Sequence, residues 1–289
     1  MEINGSGSSK GIKGSLSVII LTYNEEKNIR RCLSSLDWCD DVVILDSYST
    51  DCTEEIAKSC GTRFTKRIFD DYASQRNYGL NEIKYKHPWL LMLDADEIVT
   101  PELINEIRLT LKSCDTEMCL YHVRRKDIFM GKWIRYSSGY PTWFGRLARI
   151  GYVKVERAIN EEYKTNGKVG FLKEHLMHYP FSKGFHAWFE KHNRYSSMEA
   201  GLYAKSNIDI VKFRNLLSKN PTLRRKAIKS FVYRMPLRPL LMFLALYIFR
   251  GGFLDGYAGF TFCLLRTFYE FMINCKITEE HLRKSNLPL

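Results

Sequence analysis

The apolar positions in the first part of the chain fall into short unbroken runs separated by stretches of helical spacing. Leu16 to Thr22 reads LSVIILT, a β-branched run ended by polar residues, as a strand covered on both faces reads. Ile29, Cys32, Leu33 and Leu36 recur at helical spacing within Glu26 to Leu36, and Val42 to Leu45 supplies a second buried strand with Asp46 at its carboxyl end. Asp51 followed by Glu54 predicts an N-cap with its capping partner, opening a helix through Ser59. Thr62 to Lys66 reads as a short third strand, Ala73 to Ile83 as a helix, and Trp89 to Leu93 as a buried strand running straight into Asp94. Thr100, Pro101 and Glu102 then start a helix, with the hydroxyl as cap, proline at the first position and the carboxylate near the positive dipole end.

This alternation predicts an α/β fold with a mostly parallel sheet and helices on both faces, since parallel neighbours need crossover connections. Such sheets take ligands at the carboxyl ends of their strands, where Thr22, Asp46 and Asp94 all fall. Beyond Ser113 the alternation weakens. Cys119 to Arg124 and Arg146 to Ile150 read as further strands, and from His186 the pattern is helical to about Lys205. Leu240 to Phe249 is continuously apolar but shorter than the ~20 residues of a spanning helix. Gly251 and Gly252 break it before an aromatic helix resumes over Phe253 to Ile273, and a helical hairpin lying in a membrane surface fits the pattern. An oligomer interface has the same composition. The expected organisation is a flexible tail over residues 1–14, a catalytic domain over 15–185 and a helical, membrane-associating region over 186–289.

Composition narrows the partners. Lysine and arginine number 44 against 32 acidic residues, a net charge of +12 that favours phosphorylated donors, anionic lipid or nucleic acid. The basic residues Lys219, Arg224, Arg225, Lys226 and Lys229 precede the apolar helices and suit an anionic membrane surface. Nucleic acid is disfavoured as a partner, because no basic reading helix or RNA-binding aromatic signature accompanies the charge. The 8 cysteines form no CxxC pair and match no histidine spacing, which argues against zinc and for a reducing compartment.

Asp94-Ala95-Asp96 leaves the sheet at its ligand edge, where carboxylates suit a hard cation such as Mn²⁺ or Mg²⁺ that keeps waters and substrate phosphates in its shell. Asp94 and Asp96 are the candidate ligands, with Asp94 and Ala95 also against the donor. Thr22, Tyr23, Asn24 and Glu25 stand where the first strand hands over to its helix and can meet a nucleotide, or can form a simple turn and cap. Asp46 can accept from a base or ribose hydroxyl. Arg76 can balance phosphate charge and Asn77 can bond the donor, and a solvated helix face is the alternative for both. Arg146 is a further phosphate partner or an ordinary strand-edge charge. Trp133, Tyr140, Trp143 and Phe144 either stack on acceptor sugars or fill core.

LSVIILTYNEE, VVILDSYSTD, QRNYG and LMLDADE occur in order, and together they resemble the family 2 glycosyltransferases of GT-A fold. The chain is most similar to the group containing lipopolysaccharide-core β-1,4-glucosyltransferases, over about Leu16 to Ile277. The resemblance implies a nucleotide-sugar donor, UDP-linked by preference, a divalent metal, and inversion by direct displacement. It implies as acceptor a lipid-linked glycan or lipopolysaccharide core at the cytoplasmic face of the inner membrane, the protein being peripheral or monotopic. An inverting displacement needs a base. The group's His-Glu pair corresponds here to Asn160-Glu161-Glu162, which makes Glu161 the candidate, Glu162 its alternative by one register, and Glu156 a further option. His178, in MHYPF, matches a family position near the diphosphate or metal, or serves structurally. A nucleotidyltransferase acting on sugar phosphates is the enzymatic rival.

Overall fold

The computed structural model describes residues 16–156, 162–205 and 237–288. The N-terminal tail, Asn160, Glu161 and the basic stretch Lys219 to Lys229 lie outside the described residues. The chain forms two compact units, Met1–Ile128 with Tyr140–Ser182, and Phe129–Gly139 with Lys183–Leu289.

In the first unit the predicted alternation is present: β1 (Leu16–Thr22), α1 (Ile29–Ser34), β2 (Val42–Asp46), α2 (Thr53–Ser59), β3 (Arg63–Lys66), α3 (Tyr72–Asn81) and β4 (Trp89–Asp94). Then come β5 (Glu97–Val99), α4 (Pro101–Lys112), β6 (Met118–Phe129), and, past the short β7 (Lys132–Trp133), β8 (Thr142–Arg149), β9 (Lys154–Glu156), β10 (Glu162–Lys164) and β11 (Lys168–His178). The main sheet runs β3-β2-β1-β4-β8-β6-β11-β5. Its first four strands are parallel, and β8 lies antiparallel between β4 and β6.

The unbroken apolar runs are explained by burial on both faces. Val18, Ile20, Leu91 and Leu93 pack with Ile29, Leu33, Leu103 and Ile107, whereas Ile19, Leu90 and Met92 pack on the opposite face with Ala73 and Leu80. Each fully buried aliphatic side chain stabilises by roughly 1.5–3 kcal/mol.

The sheet cannot be flat. β5 lies four strand spacings from β4, about 19 Å in a planar sheet, yet only Ala95 and Asp96 separate Asp94 from Glu97, a reach of about 11 Å at most. β11 and β5 therefore curl back to the end of β4. Register shifts at Lys168/Val169 and Phe171/His175 of β11, and at Tyr121/His122 of β6, are the irregularities that supply such a bend. β5 left no sequence signal because three residues are too few to show a period.

Two helix starts differ in outcome. Thr100 caps α4 as expected, its hydroxyl accepting from Leu103 N at 3.2 Å. The cap position of α2 is Cys52 rather than Asp51. Asp51 instead accepts from Thr53 N at 3.0 Å and from Glu26 N at 3.1 Å, joining the loops that follow β1 and β2.

In the second unit α5 (Phe185–Lys205) packs on α7 (Gly256–Lys284). Trp188 stacks on His192, whose ring meets Tyr269 edge-on, and Lys276 Nζ donates to Asn193 O at 2.5 Å and to Ser196 Oγ at 2.8 Å. α6 (Arg238–Leu244) passes through a π-helical turn, Ala245–Phe249, and a 3-10 turn, Gly252–Asp255, into α7. The break falls at the expected glycines: Gly251 has φ +77°, and a Cβ on Gly259 would lie 2.2 Å from Gly252 O. Asp255 receives Ser137 N at 2.8 Å and Tyr136 N at 3.0 Å, fastening the 129–139 segment to this unit. Among the described residues no single helix is long and apolar enough to cross a membrane, and one pair bent by 70°, Arg238–Phe249 with Gly252–Lys284, passes by length and composition.

Asn77 holds the β9 and β10 ribbon to α3: its amide donates to Val155 O at 2.7 Å and its oxygen accepts from Val155 N at 2.8 Å. Asn77→Ala leaves both backbone groups without this partner, and thermal or urea unfolding should show a loss of about 1–3 kcal/mol.

Candidate active site

The strand register sets the floor of the site. Thr22 lies opposite Asp46, and Leu21 opposite Asp94, so β2, β1 and β4 deliver their terminal polar residues to one edge.

One half of that edge is built from hydrogen bonds between loops. Asp46 is fully buried and accepts from Thr22 Oγ1 at 2.7 Å, from Ser49 Oγ at 2.5 Å and from Ser49 N at 2.7 Å. Its carboxylate therefore organises the loop after β2, where the sequence suggested a direct contact with ribose or base. Asn24 has φ +53°, which asparagine tolerates through local hydrogen bonding, and its side chain accepts from Thr50 N at 2.8 Å while its backbone N donates to Ser49 Oγ at 2.8 Å. Glu25 N donates to Thr53 Oγ1 at 2.7 Å, and the Glu25 carboxylate accepts from Asn28 at 2.8 Å. Tyr48 also adopts a positive φ, +60°, uncommon for a bulky residue and the kind of strain found at functional sites. Tyr48, like Tyr23, is 52% exposed, and the Lys66 ammonium lies 6.0 Å from the Tyr48 ring centroid. Gln75, buried in α3, donates to Ser47 Oγ at 3.2 Å and accepts from Arg67 at 2.6 Å, binding the helix to the same loop.

The other half is a charge network. Asp94 receives Arg76 at 2.8 Å on one carboxylate oxygen and Arg146 at 2.6 Å on the other. Arg146 also reaches Glu97 at 2.6 Å, and the second Glu97 oxygen accepts from Asp94 N at 3.0 Å. Burial works against charge on Asp94, but Arg146 and Arg76 outweigh it and hold the carboxyl well below the usual range. Burial pushes the Glu97 carboxyl up, with Arg146 opposing. Arg76 and Arg146 thus neutralise carboxylates of the protein itself, where the sequence had suggested phosphate. Ala95 is buried in the core.

Asp96 and His178 come together from the β4–β5 turn and the end of β11, with His178 Nε2 3.3 Å from Asp96 Oδ2. Behind the ring, His178 Nδ1 pairs with Asp127 at 2.7 Å, and Arg125 Nε donates to the same Asp127 oxygen at 3.2 Å. Of the expected ligands Asp94, Asp96 and His178, the last two converge and Asp94 is committed to its arginines. Among the described residues no group of three or more His, Cys, Asp or Glu side chains forms a ready metal site. A pair still suits Mg²⁺ or Mn²⁺, whose shells are commonly completed by water and phosphate. The Asp127–His178 bond is the outer-shell carboxylate arrangement that orients a ligating imidazole.

Asn77, assigned to the donor from sequence, spends its amide on Val155. Glu162 stands opposite Glu156 across the β9–β10 ribbon, half exposed and paired with Lys164 at 2.5 Å, and Glu161 lies outside the described residues. Phe144 lies between Arg125 and Arg146, 4.2 and 5.6 Å from its ring centroid, and Trp133 belongs to the second unit. Sequence reasoning missed Glu97, Arg125, Asp127, Ser49 and Tyr48. Only Glu97 carried a signal, being adjacent to the carboxylate pair.

Burial lowers the basicity of His178, but Asp96 and Asp127 outweigh it and raise its pKa to about 9. The folded value lies above the ordinary ~6.5, so the protonated ring stabilises the metal-free fold fully below that pH and loses its contribution as pH rises through about 9. NMR titration of the metal-free protein should show the His178 ring changing near 9, and Asp127→Asn should move the midpoint down.

The family model described as Glycosyl transferase family 2 matches residues 17–182. A lipopolysaccharide core biosynthesis glycosyltransferase of Rhizobium meliloti, LpsC, is 26% identical over 279 residues, covering 93% of this chain and 94% of its own. An uncharacterized glycosyltransferase of Rickettsia typhi is 26% identical over 286 residues, covering 94% and 89%. Among solved structures, a mannosyltransferase from Pyrobaculum calidifontis in complex with GDP-Man and Mn²⁺ is 14% identical at a TM-score of 0.49, covering 91% of this chain and 87% of that one. With a match across most of the first unit, the chain belongs to the family 2 glycosyltransferases.

Proposed function

We propose that the protein transfers a sugar from a nucleotide diphosphate donor, UDP-linked by preference, to a lipid-linked glycan or lipopolysaccharide-core acceptor, with inversion at the anomeric carbon. The observation that carries this reading is the meeting of Asp96 and His178 beside a strained, hydrogen-bonded loop pair at the carboxyl edge of the sheet. Ligands of open α/β sheets bind at that edge.

Each part has a role. Tyr23 and Tyr48 offer flat faces to a base, while Thr22, Asp46, Asn24 and Glu25 keep the loops in place beneath it. Asp96 and His178 would hold Mn²⁺ or Mg²⁺, which when bound supplies positive charge for the departing diphosphate. Asp127 keeps the His178 ring in one orientation. Glu161 takes the proton of the attacking hydroxyl, with Glu162 the alternative one position along. The similarity to LpsC along almost the whole of both chains supports a glycan acceptor of the lipopolysaccharide-core class.

The same reading sets the protein at the cytoplasmic face of the inner membrane. Ile248, Phe249, Phe253, Leu254 and Tyr257, all at least half exposed, crowd the bend between α6 and α7, an apolar tip suited to the headgroup boundary. Basic residues of the Lys219 to Lys229 stretch add about 1 kcal/mol each near an anionic surface.

Asp96→Ala should abolish turnover of a nucleotide sugar and remove metal-dependent donor binding, measured on a panel of nucleotide sugars, while far-UV circular dichroism stays unchanged. Turnover at the wild-type level would remove the metal role. Glu161→Gln should stop transfer and spare donor binding; an active Glu161→Gln beside a dead Glu162→Gln shifts the base by one position. In flotation with anionic vesicles the wild type should rise with the lipid and the double variant Phe249→Asp, Phe253→Asp should not. A wild type that stays with the soluble fraction, or a double variant that still floats, would sink the membrane reading.

A further inference from the structure

The face of the sheet formed by β8, β6 and β11 carries a cluster that the charge network does not use. Tyr121 and Val123 of β6 enter the core with Leu103 and Ile107 of α4, so the alternate residues His122 and Arg124 belong to the opposite face. There Phe171 of β11 is in register with His122, and Trp143 of β8 with Arg124. The His122 and Phe171 rings stack with centroids 5.1 Å apart, and Trp143 meets Phe171 edge-on at 5.1 Å. The Arg124 guanidinium lies 5.5 Å from the Trp143 centroid and 5.7 Å from that of Tyr140.

Two features set this cluster apart from ordinary core. Phe171 is 60% exposed and Trp143 36%, whereas the neighbouring Gly145 is covered by the Tyr163 ring, which a Cβ there would approach to 2.7 Å. Beneath the rings, His122 Nδ1 and Arg124 Nε are buried with no hydrogen-bond partner. Such groups are costly until a partner arrives.

We infer that this face is the acceptor subsite, a platform for a saccharide bearing phosphate or carboxylate. The inference rests on the glycosyl-transfer reading above. Sugar rings present C–H faces that pack on aromatic surfaces, and their hydroxyls and acidic substituents take N–H donors, which Arg124 supplies together with charge. The platform adjoins the transfer edge. In β8 Arg146, three residues on from Trp143, reaches Asp94 at 2.6 Å, and in β6 Arg125, next to Arg124, lies 3.6 Å from Glu97. Tyr140 and Trp143, which the sequence left between acceptor contact and core, belong to this surface, and Phe171 and His122 complete it.

The test uses the full-length protein and isothermal titration with a deacylated, phosphorylated core oligosaccharide, the same saccharide after phosphatase treatment, and neutral maltotetraose. The wild type should bind the phosphorylated saccharide best. Trp143→Ala and Phe171→Ala should each weaken that binding by about tenfold, Phe171→Trp should retain it, and Arg124→Gln should erase the preference for the phosphorylated form. Binding of UDP with Mn²⁺, measured in parallel, should be the same in every variant and reports a folded donor side. If the alanine variants bind saccharide as the wild type does, or the wild type binds none of the saccharides, the platform is overturned even where UDP binding is intact. A wild type that takes the saccharide through these residues yet binds no nucleotide overturns the transfer reading and leaves the platform.

Discussion

Two carboxylates, Asp94 and Glu97, are held together at the end of β4 and made tolerable by the guanidinium groups of Arg76 and Arg146. Removing one partner of such a network leaves an uncompensated buried charge, a cost of about 3–5 kcal/mol. The four residues come from α3, β4, β5 and β8, so the network joins the parallel half of the sheet to the half that follows β8. It also demands the curl that brings β5 back to β4. Without that curl His178 would stand at the far side of the sheet, and Asp96 would face solvent with no imidazole beside it.

That arrangement separates two tasks at one edge. Asp94, already neutralised, is a structural anchor that fixes the direction in which the chain leaves the sheet. Asp96, two residues on, is left facing His178. On the other side Ser49 joins Asp46 to Asn24, and Thr53 accepts from Glu25 N, which keeps the loops that carry Tyr23 and Tyr48 from collapsing. The strain at Tyr48 persists because two hydrogen bonds tie the adjoining Ser49 to Asp46, a carboxylate that Thr22 of β1 also holds.

The part of this fold legible in sequence is the part governed by local periodicity. β1, β2 and β4 announce themselves as unbroken apolar runs because helices cover both their faces, and the carboxylates at their ends follow from register alone. Thr100 was readable because capping is local. Asp51 was not, since its carboxylate is drawn to Glu26 across a loop, a contact of long sequence separation. Asn77, Arg76 and Arg146 were seen as polar groups near the edge, but their partners, Val155, Asp94 and Glu97, are set by tertiary packing that no spacing reveals. Asp127 lies within a strand whose pattern gives no hint that its carboxylate orients a histidine 51 residues away. The aromatic face of Trp143 and Phe171 was half visible, because its members come from strands whose pairing the sequence does not specify.

The central claim is that Asp96 and His178, rather than Asp94, receive the cation that accompanies the donor. Anomalous diffraction from crystals grown with Mn²⁺ and a UDP-sugar measures this directly. A manganese peak between the Asp96 carboxylate and His178 Nε2, with Asp94 still on Arg76 and Arg146, is the predicted result. A peak on Asp94 with the arginines displaced, or no manganese at this edge while the nucleotide is bound, would contradict it.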